Sequence, residues 1–386
     1  MNGVERHEAD VVPVVAVRIS WVAEAYDELH CGARSVPAAR GIVHAMRPLD
    51  PIDLDATLEQ ARDAFVQLRG ARIFLTGATG FFGVWLLETL AHARRALDLD
   101  LHAVVLSRDP ARVGARLPHL DGHPWLRFHR GDVRDFVAPA GSFSHVVHAA
   151  TATSYPPGVL EDPLDTIDVV VEGTRRVLAM AQEKSVGRLL FTSSGAVYGR
   201  QPAALTHLPE DHPGAPDPMD LRSAYGHAKR LAEHLCAQAR GVEAVIARGF
   251  AFVGAHLPLD VHFAIGNFLR DALAGKAIVV SSDGSPMRSY LYGSDLAAWL
   301  WVMLARGVGS RPYNLGSDDE HPLGDVAGRV GALLKVPVEI RGQSDSTAAR
   351  HRYVPSVSRA RDELGLDVTV GLDEAITRTA RWHRGG

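Results

Sequence analysis

With 386 residues, 46% of them hydrophobic and 22% charged, the chain can bury a large core and reads as an ordinary soluble globular protein of two or three domains. A net charge of −4 supplies no basic field for nucleic acid, and the two cysteines, Cys31 and Cys236, lie too far apart to suggest a disulfide framework or a zinc site, which fits a reducing cytoplasm. No apolar run approaches about twenty uncharged residues, and Val11 to Ile19 is broken by Pro13 and Arg18, so neither a membrane span nor a signal peptide is expected.

Residues 1–52 form a leader that closes on a Pro/Asp-rich stretch, and no chemistry is legible in it. Leu54, Leu58, Ala61, Phe65 and Leu68 then recur at helical spacing behind Asp53 or Asp55 as N-cap, predicting an amphipathic helix over 54–69 that Gly70 ends and that covers the sheet; 1–70 is read as an N-terminal extension. From 71 onward, strands at 71–76, 101–106, 125–129, 144–149, 187–193 and 242–248 alternate with helices at 81–97, 163–184 and 222–240. Nearly all-apolar strands in that alternation predict an α/β fold, a Rossmann-type doubly wound parallel sheet over 71–250, with its binding crevice at the carboxyl ends of the strands. Helices near 261–274, 294–305 and 323–334 with short strands between them are read as a smaller C-terminal lobe, 251–386, that closes over a substrate.

The first strand runs into Gly77, Gly80 and Gly83, and an apolar helix follows at once. Glycines at such a turn let the main chain approach a dinucleotide pyrophosphate while the helix start offers unpaired N–H groups, although a Gly-rich turn can also be purely structural. After the second strand come Ser107 and Arg108 in place of an acidic residue, which suits the 2′-phosphate of NADP better than the bare ribose of NAD, the alternative being a surface arginine. Asp132 follows the third strand where it can meet the adenine amino group, and Ala149, Ala150 and Thr151 end the fourth with small residues against which a cofactor can lie. The fifth ends in hydroxyl residues, Thr192-Ser193-Ser194. Tyr225 and Lys229 stand four apart and so share a helix face, where an ammonium beside a phenol favours phenolate; alone the pair would be a surface feature, but its place after the glycine turn and serine-ended strand makes it an acid-base candidate.

These segments resemble the extended short-chain dehydrogenases/reductases of the NAD-dependent epimerase/dehydratase group, which act on nucleotide sugars. The resemblance covers roughly 71–335 and is carried by Thr76-Gly77-Ala78-Thr79-Gly80-Phe81-Phe82-Gly83, Gly131-Asp132-Val133-Arg134-Asp135, Ser193-Ser194-Gly195-Ala196-Val197-Tyr198-Gly199, Tyr225-Gly226-His227-Ala228-Lys229, and the stretch from Asp283 to Leu296 that holds Arg288. It implies NAD(P), with NADP favoured, bound by Gly77, Thr79, Gly80, Phe81, Phe82 and Gly83. Ser107, Arg108, Asp132, Val133, Ala149, Ala150, Thr151, Tyr225, Lys229 and Phe250 would complete that site. It further implies catalysis by Ser194, Tyr225 and Lys229, and a nucleotide-diphosphate sugar touching Ser194, Thr153, Ala196, Tyr225, Asn267 and Arg288. Arg288 would clamp the pyrophosphate, the alternative being an ion pair with Asp295. No metal is implied. The family's homodimers form a four-helix bundle from helices like 163–184 and 222–240.

The departures bear on reaction type. Family dehydratases follow the residue at 194 with Asp-Glu, and uronate decarboxylases carry a glutamate at 196; this chain has Gly195 and Ala196, which resembles the 4-epimerases and 4-ketoreductases. Val170 and Ala251 replace asparagines that often orient the sugar. A 4,6-dehydratase or uronate decarboxylase would have to draw a second acid-base from elsewhere, such as Glu161, Asp162 or Asp260. A non-catalytic NAD(P) sensor would have no need of Ser194, Tyr225 and Lys229. Thr151, Thr153, Tyr155 and His262 are further candidates for lining the pocket, whereas His145, His148 and His256 are read as structural.

Overall fold

The computed structural model describes residues 45–151, 162–260, 263–343 and 351–385. Helix α1 (Pro51–Gln67) leads into β1 (Arg72–Thr76), α2 (Phe81–Ala96), β2 (His102–Ser107), α3 (Pro110–Arg116), β3 (Leu126–Arg130) and β4 (His145–His148). Then follow α4 (Pro163–Glu183), β5 (Arg188–Ser194), α5 (Ala224–Ala237), β6 (Glu243–Gly249) and β7 (Phe252–Val253). The remainder comprises α6 (Ala264–Leu273), β8 (Ile278–Val280), β9 (Met287–Arg288), β10 (Leu291–Tyr292), α7 (Gly293–Arg306), β11 (Pro312–Leu315), β12 (His321–Pro322), α8 (Leu323–Leu334), β13 (Val338–Ile340), β14 (Arg352–Tyr353), α9 (Ser358–Leu364) and α10 (Leu372–Arg384).

Seven parallel strands make the central sheet in the order β11-β6-β5-β4-β1-β2-β3. The all-apolar strands of the sequence are explained by alternation between two covered faces. Ile73, Leu75, Leu190 and Val245 join the core under α2 and α7, while Phe74, Leu189, Phe191 and Ile246 join the core under α4 and α5. The chain order reverses between β1 and β4, and this switch point lies where the glycine turn was expected to bind a dinucleotide.

Four expectations need correction. The sheet does not stop at residue 250: β11 pairs with β6 in the register Asn314↔Arg248, and the apolar α7 covers the sheet, because its buried residues have nowhere else to be shielded. The helix over 54–69 begins earlier, at Pro51, since Asp50 accepts from the Ile52 N–H (3.1 Å) and a proline at the first position is preset for the helix. Asp53, read as a cap, is instead buried and accepts from Tyr292 (2.8 Å) and Arg378 (3.0 Å). This helix lies over α7 rather than on the sheet alone: Thr57 donates to the Ser294 carbonyl (3.1 Å), and Phe65 stands 5.4 Å from Trp301. A separate core joins Trp85 and Val253 to α6, α8 and α10.

Candidate active site

The parallel strands bring the ends of β1, β2, β3, β4 and β5 to one edge. At the end of β1, Gly77 has φ +75°, and a Cβ there would fall 2.4 Å from the Ala149 backbone. Only glycine permits that approach of β1 to β4. Gly83 packs equally close, a Cβ falling 2.2 Å from the Ala78 Cα, and this seats α2 on the turn. A Cβ on Gly80 would meet only the Gly77 carbonyl oxygen, at 3.6 Å, and α2 starts without a side-chain cap, so the first-turn N–H groups are left for an anion. Thr151, at the same edge, has a buried hydroxyl without a partner among the described residues. The residues present therefore fit a bound dinucleotide. Beneath them Thr76 Oγ1 meets His148 Nδ1 (2.8 Å) and receives the Ala150 N–H (3.1 Å), while His148 Nε2 meets Thr174 (3.1 Å). Burial, with Lys229 nearby, lowers His148 to about 3, so it is a neutral core histidine that braces β1 against β4.

Ser107 accepts from the Asp109 N–H (3.1 Å), and Arg108 is exposed just beyond β2. The Asp132 carboxylate is gripped by Arg134 through its backbone N–H (3.0 Å) and guanidinium (2.8 and 3.0 Å), which holds it below the usual carboxylate range. Val133 packs against Gly173 of α4. Phe81 and Phe82 turn toward Phe252, Phe82 edge-on at 5.0 Å.

At the end of β5, Ser194 accepts from the Ala196 N–H (3.1 Å) and is nearly buried. Tyr225 is half-buried on the first turn of α5. One turn on, the buried Lys229 donates to the Thr192 carbonyl (2.8 Å), with its Nζ 5.7 Å from the Tyr225 ring centre and 4.8 Å from that of Phe191. Burial lowers Lys229 to about 8, against the pull of Cys236 and Glu233. A half-exposed phenol over a buried ammonium is an arrangement suited to proton transfer.

A family model for the NAD dependent epimerase/dehydratase family matches residues 73–316. The chain belongs to this family. It is 32% identical over 314 residues to UDP-glucuronic acid decarboxylase 6 of Arabidopsis thaliana, a match spanning 79% of this chain and 86% of that protein. Among solved structures it is similar to an epimerase from Methanothermobacter thermautotrophicus, with TM-score 0.69 and 24% identity over 85% of this chain and 96% of that one. It is also similar to a dTDP-glucose 4,6-dehydratase from Streptomyces venezuelae solved with NAD bound, with TM-score 0.67 and 24% identity over 81% and 97%. At these identities the structural likeness is one of fold. As an epimerase/dehydratase family enzyme, the chain is NAD(P)-dependent and acts in a group that handles nucleotide sugars. No helix among the described residues is long and apolar enough to cross a membrane.

Other expected residues of this family enzyme lie after β6 in the chain or outside the described residues. Thr153, Tyr155, Glu161 and His262 lie outside the described residues. Asn267 sits on α6 with its side-chain oxygen held by Arg270 (3.1 Å). Arg288, on β9, does not pair with Asp295, whose oxygens accept from the Thr369 and Val370 N–H groups (2.9 and 3.1 Å). No ion pair among the described residues engages Arg288, and burial lowers its pKa.

The sequence reading missed what surrounds the Ser194 loop. Tyr353, from β14, pairs in register with Arg288, and its ring centre lies 4.8 Å from that of Phe250. A Cβ on Gly195 would fall 2.7 Å from the Tyr353 hydroxyl and 2.9 Å from Phe250, so that space is filled. Under the loop, buried Glu233 accepts from Ser193 and from Arg248 (2.7 Å), which also donates to Tyr198 (2.8 Å), and Tyr198 donates to Asn314 (2.7 Å). Only Arg248, an arginine near the end of a largely apolar strand, hinted at this brace. Nothing in the stretch around 353 did.

Proposed function

We propose that the chain is an NAD(P)-dependent nucleotide-sugar oxidoreductase that works at C4 of the sugar, as a 4-epimerase or 4-ketoreductase. The observation that carries this reading is Ser194-Gly195-Ala196 at the strand end, with the room beside Gly195 taken by Tyr353, so that the loop offers the sugar a hydroxyl and no carboxylate. Tyr225, as phenolate, removes the C4 hydroxyl proton; Ser194 donates to the same oxygen; the Lys229 charge favours the phenolate. A nicotinamide cofactor held by the turn from Gly77 to Gly83 would supply hydride exchange at C4. Arg288 and Asn267 hold the diphosphate, and the exposed Arg108 favours NADP. The proposed homodimer forms through α4 and α5, which leave Leu164 and Leu231 exposed.

Dehydration has little support from the carboxylates in view: Asp162 caps α4 by accepting from the Leu164 N–H (2.9 Å), and Asp260 is exposed. A uronate decarboxylase is the second reading, favoured by the 32% identity to a plant UDP-glucuronic acid decarboxylase. Its chemistry asks little of the loop, because oxidation at C4 makes the C6 carboxylate a β-keto acid. That acid loses carbon dioxide, and the electron pair left at C5 takes a proton.

The test is incubation with NAD⁺ or NADP⁺ and, separately, UDP-glucuronate, UDP-glucose and UDP-galactose, followed by NMR and carbon dioxide release. Interconversion of hexoses without gas supports the first reading; gas with a pentose product replaces it with the second. Tyr225→Phe should lower turnover by about 10²–10⁴-fold with cofactor binding kept. Cofactor binding with no turnover of these sugars, nor of a 4-keto nucleotide sugar given with NADPH, leaves the non-catalytic sensor.

A further inference from the structure

Two side chains one turn apart on α5 hold two consecutive residues of β5. Lys229 donates to the Thr192 carbonyl (2.8 Å), and the buried Glu233 accepts from the Ser193 hydroxyl. Arg248 of β6, opposite Ser193 in register, closes the junction by donating to Glu233 from Nε (3.0 and 3.2 Å) and from Nη2 (2.7 Å). The helix that carries Tyr225 and Lys229 is thereby tied to the strand residue just before Ser194. We infer that Glu233 is a positioning residue for Lys229: its carboxylate, fixed by Ser193 and Arg248, fastens α5 to the end of β5 and is the counter-charge to the buried ammonium. This rests on the reading that a charged Lys229 favours the Tyr225 phenolate.

An ammonium that is 1% exposed and lies 4.8 Å from the Phe191 ring centre has little water to stabilise it. The titratable groups that act on it besides Glu233 are Tyr225 and Cys236 of its own helix and His148 of β4. Burial pushes the Cys236 thiol up to about 12 and His148 down to about 3, so both are neutral near pH 7. Tyr225 is the phenol that Lys229 serves. Glu233 is left as the carboxylate that opposes the effect of burial on Lys229 among the described residues. Arg248 is pinned in turn, its Nη1 donating to the Tyr198 hydroxyl (2.8 Å) and the Glu210 carbonyl (2.9 Å), which gives the carboxylate one place to sit.

Glu233→Gln keeps the side-chain shape and removes the charge. The chain has four lysines, Lys184, Lys229, Lys276 and Lys335, so protein labelled with carbon-13 at the lysine Cε gives an NMR titration in which Lys229→Met assigns the Lys229 signal. In Glu233→Gln the Lys229 midpoint should fall by about half a unit or more, with the other three unmoved. An unmoved Lys229 overturns the inference. With a sugar that is turned over, the alkaline limb of kcat/KM should move to lower pH by a similar amount. Loss of one partner can unfold a buried ion pair, so the second variant is Glu233→Met with Arg248→Met, which removes both charges. We expect it to melt near the parent while the Lys229 midpoint and the alkaline limb stay low. Return of both to the parent's values would make the pair a fold brace alone and overturn the inference. The titration needs no sugar, so a lowered Lys229 midpoint without turnover of any sugar overturns only the proposed activity.

Discussion

Lys229 is charged chemistry in an apolar setting, and the two demands pull in opposite directions. Burial favours its neutral form, with the pKa at about 8 in place of about 10.5, so below pH 8 the folded protein bears a cost of about 3 kcal/mol for holding the charge. The unfolded chain binds the proton up to pH 10.5, so that cost is relieved as pH rises from 8 to 10.5. Lys229→Met should therefore melt no earlier than the parent at pH 7, despite losing the bond to Thr192, while turnover collapses; a large fall in melting temperature would contradict this. Arg108 has a different test, because it is exposed, and its charge acts on Asp132. Arg108→Glu should weaken NADP(H) at least about tenfold relative to NAD(H), measured by fluorescence titration. Equal losses for both dinucleotides would remove its role.

Among the elements, α2 serves two ends, since its start follows the glycine turn without a side-chain cap and its body joins the core under the sheet to the core that holds α6, α8 and α10. Trp85 is the tie, fully buried, edge-on to Tyr292 at 5.8 Å and donating from Nε1 to the Ala255 carbonyl (2.9 Å). Gly293 is glycine because a Cβ there would lie 2.2 Å from that indole. Trp85→Ala should cost about 3–5 kcal/mol, read as a lowered urea midpoint, and should disturb sugar binding as well as stability. Helices α4 and α5 pack side by side, and Leu231 is 44% exposed on α5. If they form the proposed bundle, Leu231→Arg should convert a dimer to monomer in sedimentation without unfolding it. A parent that sediments as a monomer would dismiss the bundle.

The whole molecule should weaken in acid before its carboxylates titrate. Burial lowers His148 and His256 to about 3 and His145 to about 4. Below about pH 6.5 the unfolded chain takes up protons that these folded sites refuse. Stability is complete above 6.5 and falls as pH drops toward 4, by about 1.4 kcal/mol per pH unit for each such histidine. Urea midpoints measured from pH 7.5 to 4.5 should fall over that range, and His256→Asn, which tolerates the left-handed backbone at φ +66°, should flatten the slope. A pH-independent midpoint would show that these histidines are protonated in the fold.

Much of this was legible in the chain because it is written at short range. Six sheet strands could be read from short, largely apolar segments of four to seven residues, the glycine turn from three glycines in seven positions, and the Tyr225–Lys229 pair from helical spacing. Each of those signals is contained in one element. Strand β11 escaped notice because Pro312–Leu315 is four residues long and joins the sheet only by pairing with β6. The Glu233–Arg248 brace, the burial of Asp53 and the seat of Tyr353 on Gly195 join residues 15 to 325 positions apart. Sequence spacing determines which side chains share a face; only the packing of one element on another decides which of them meet.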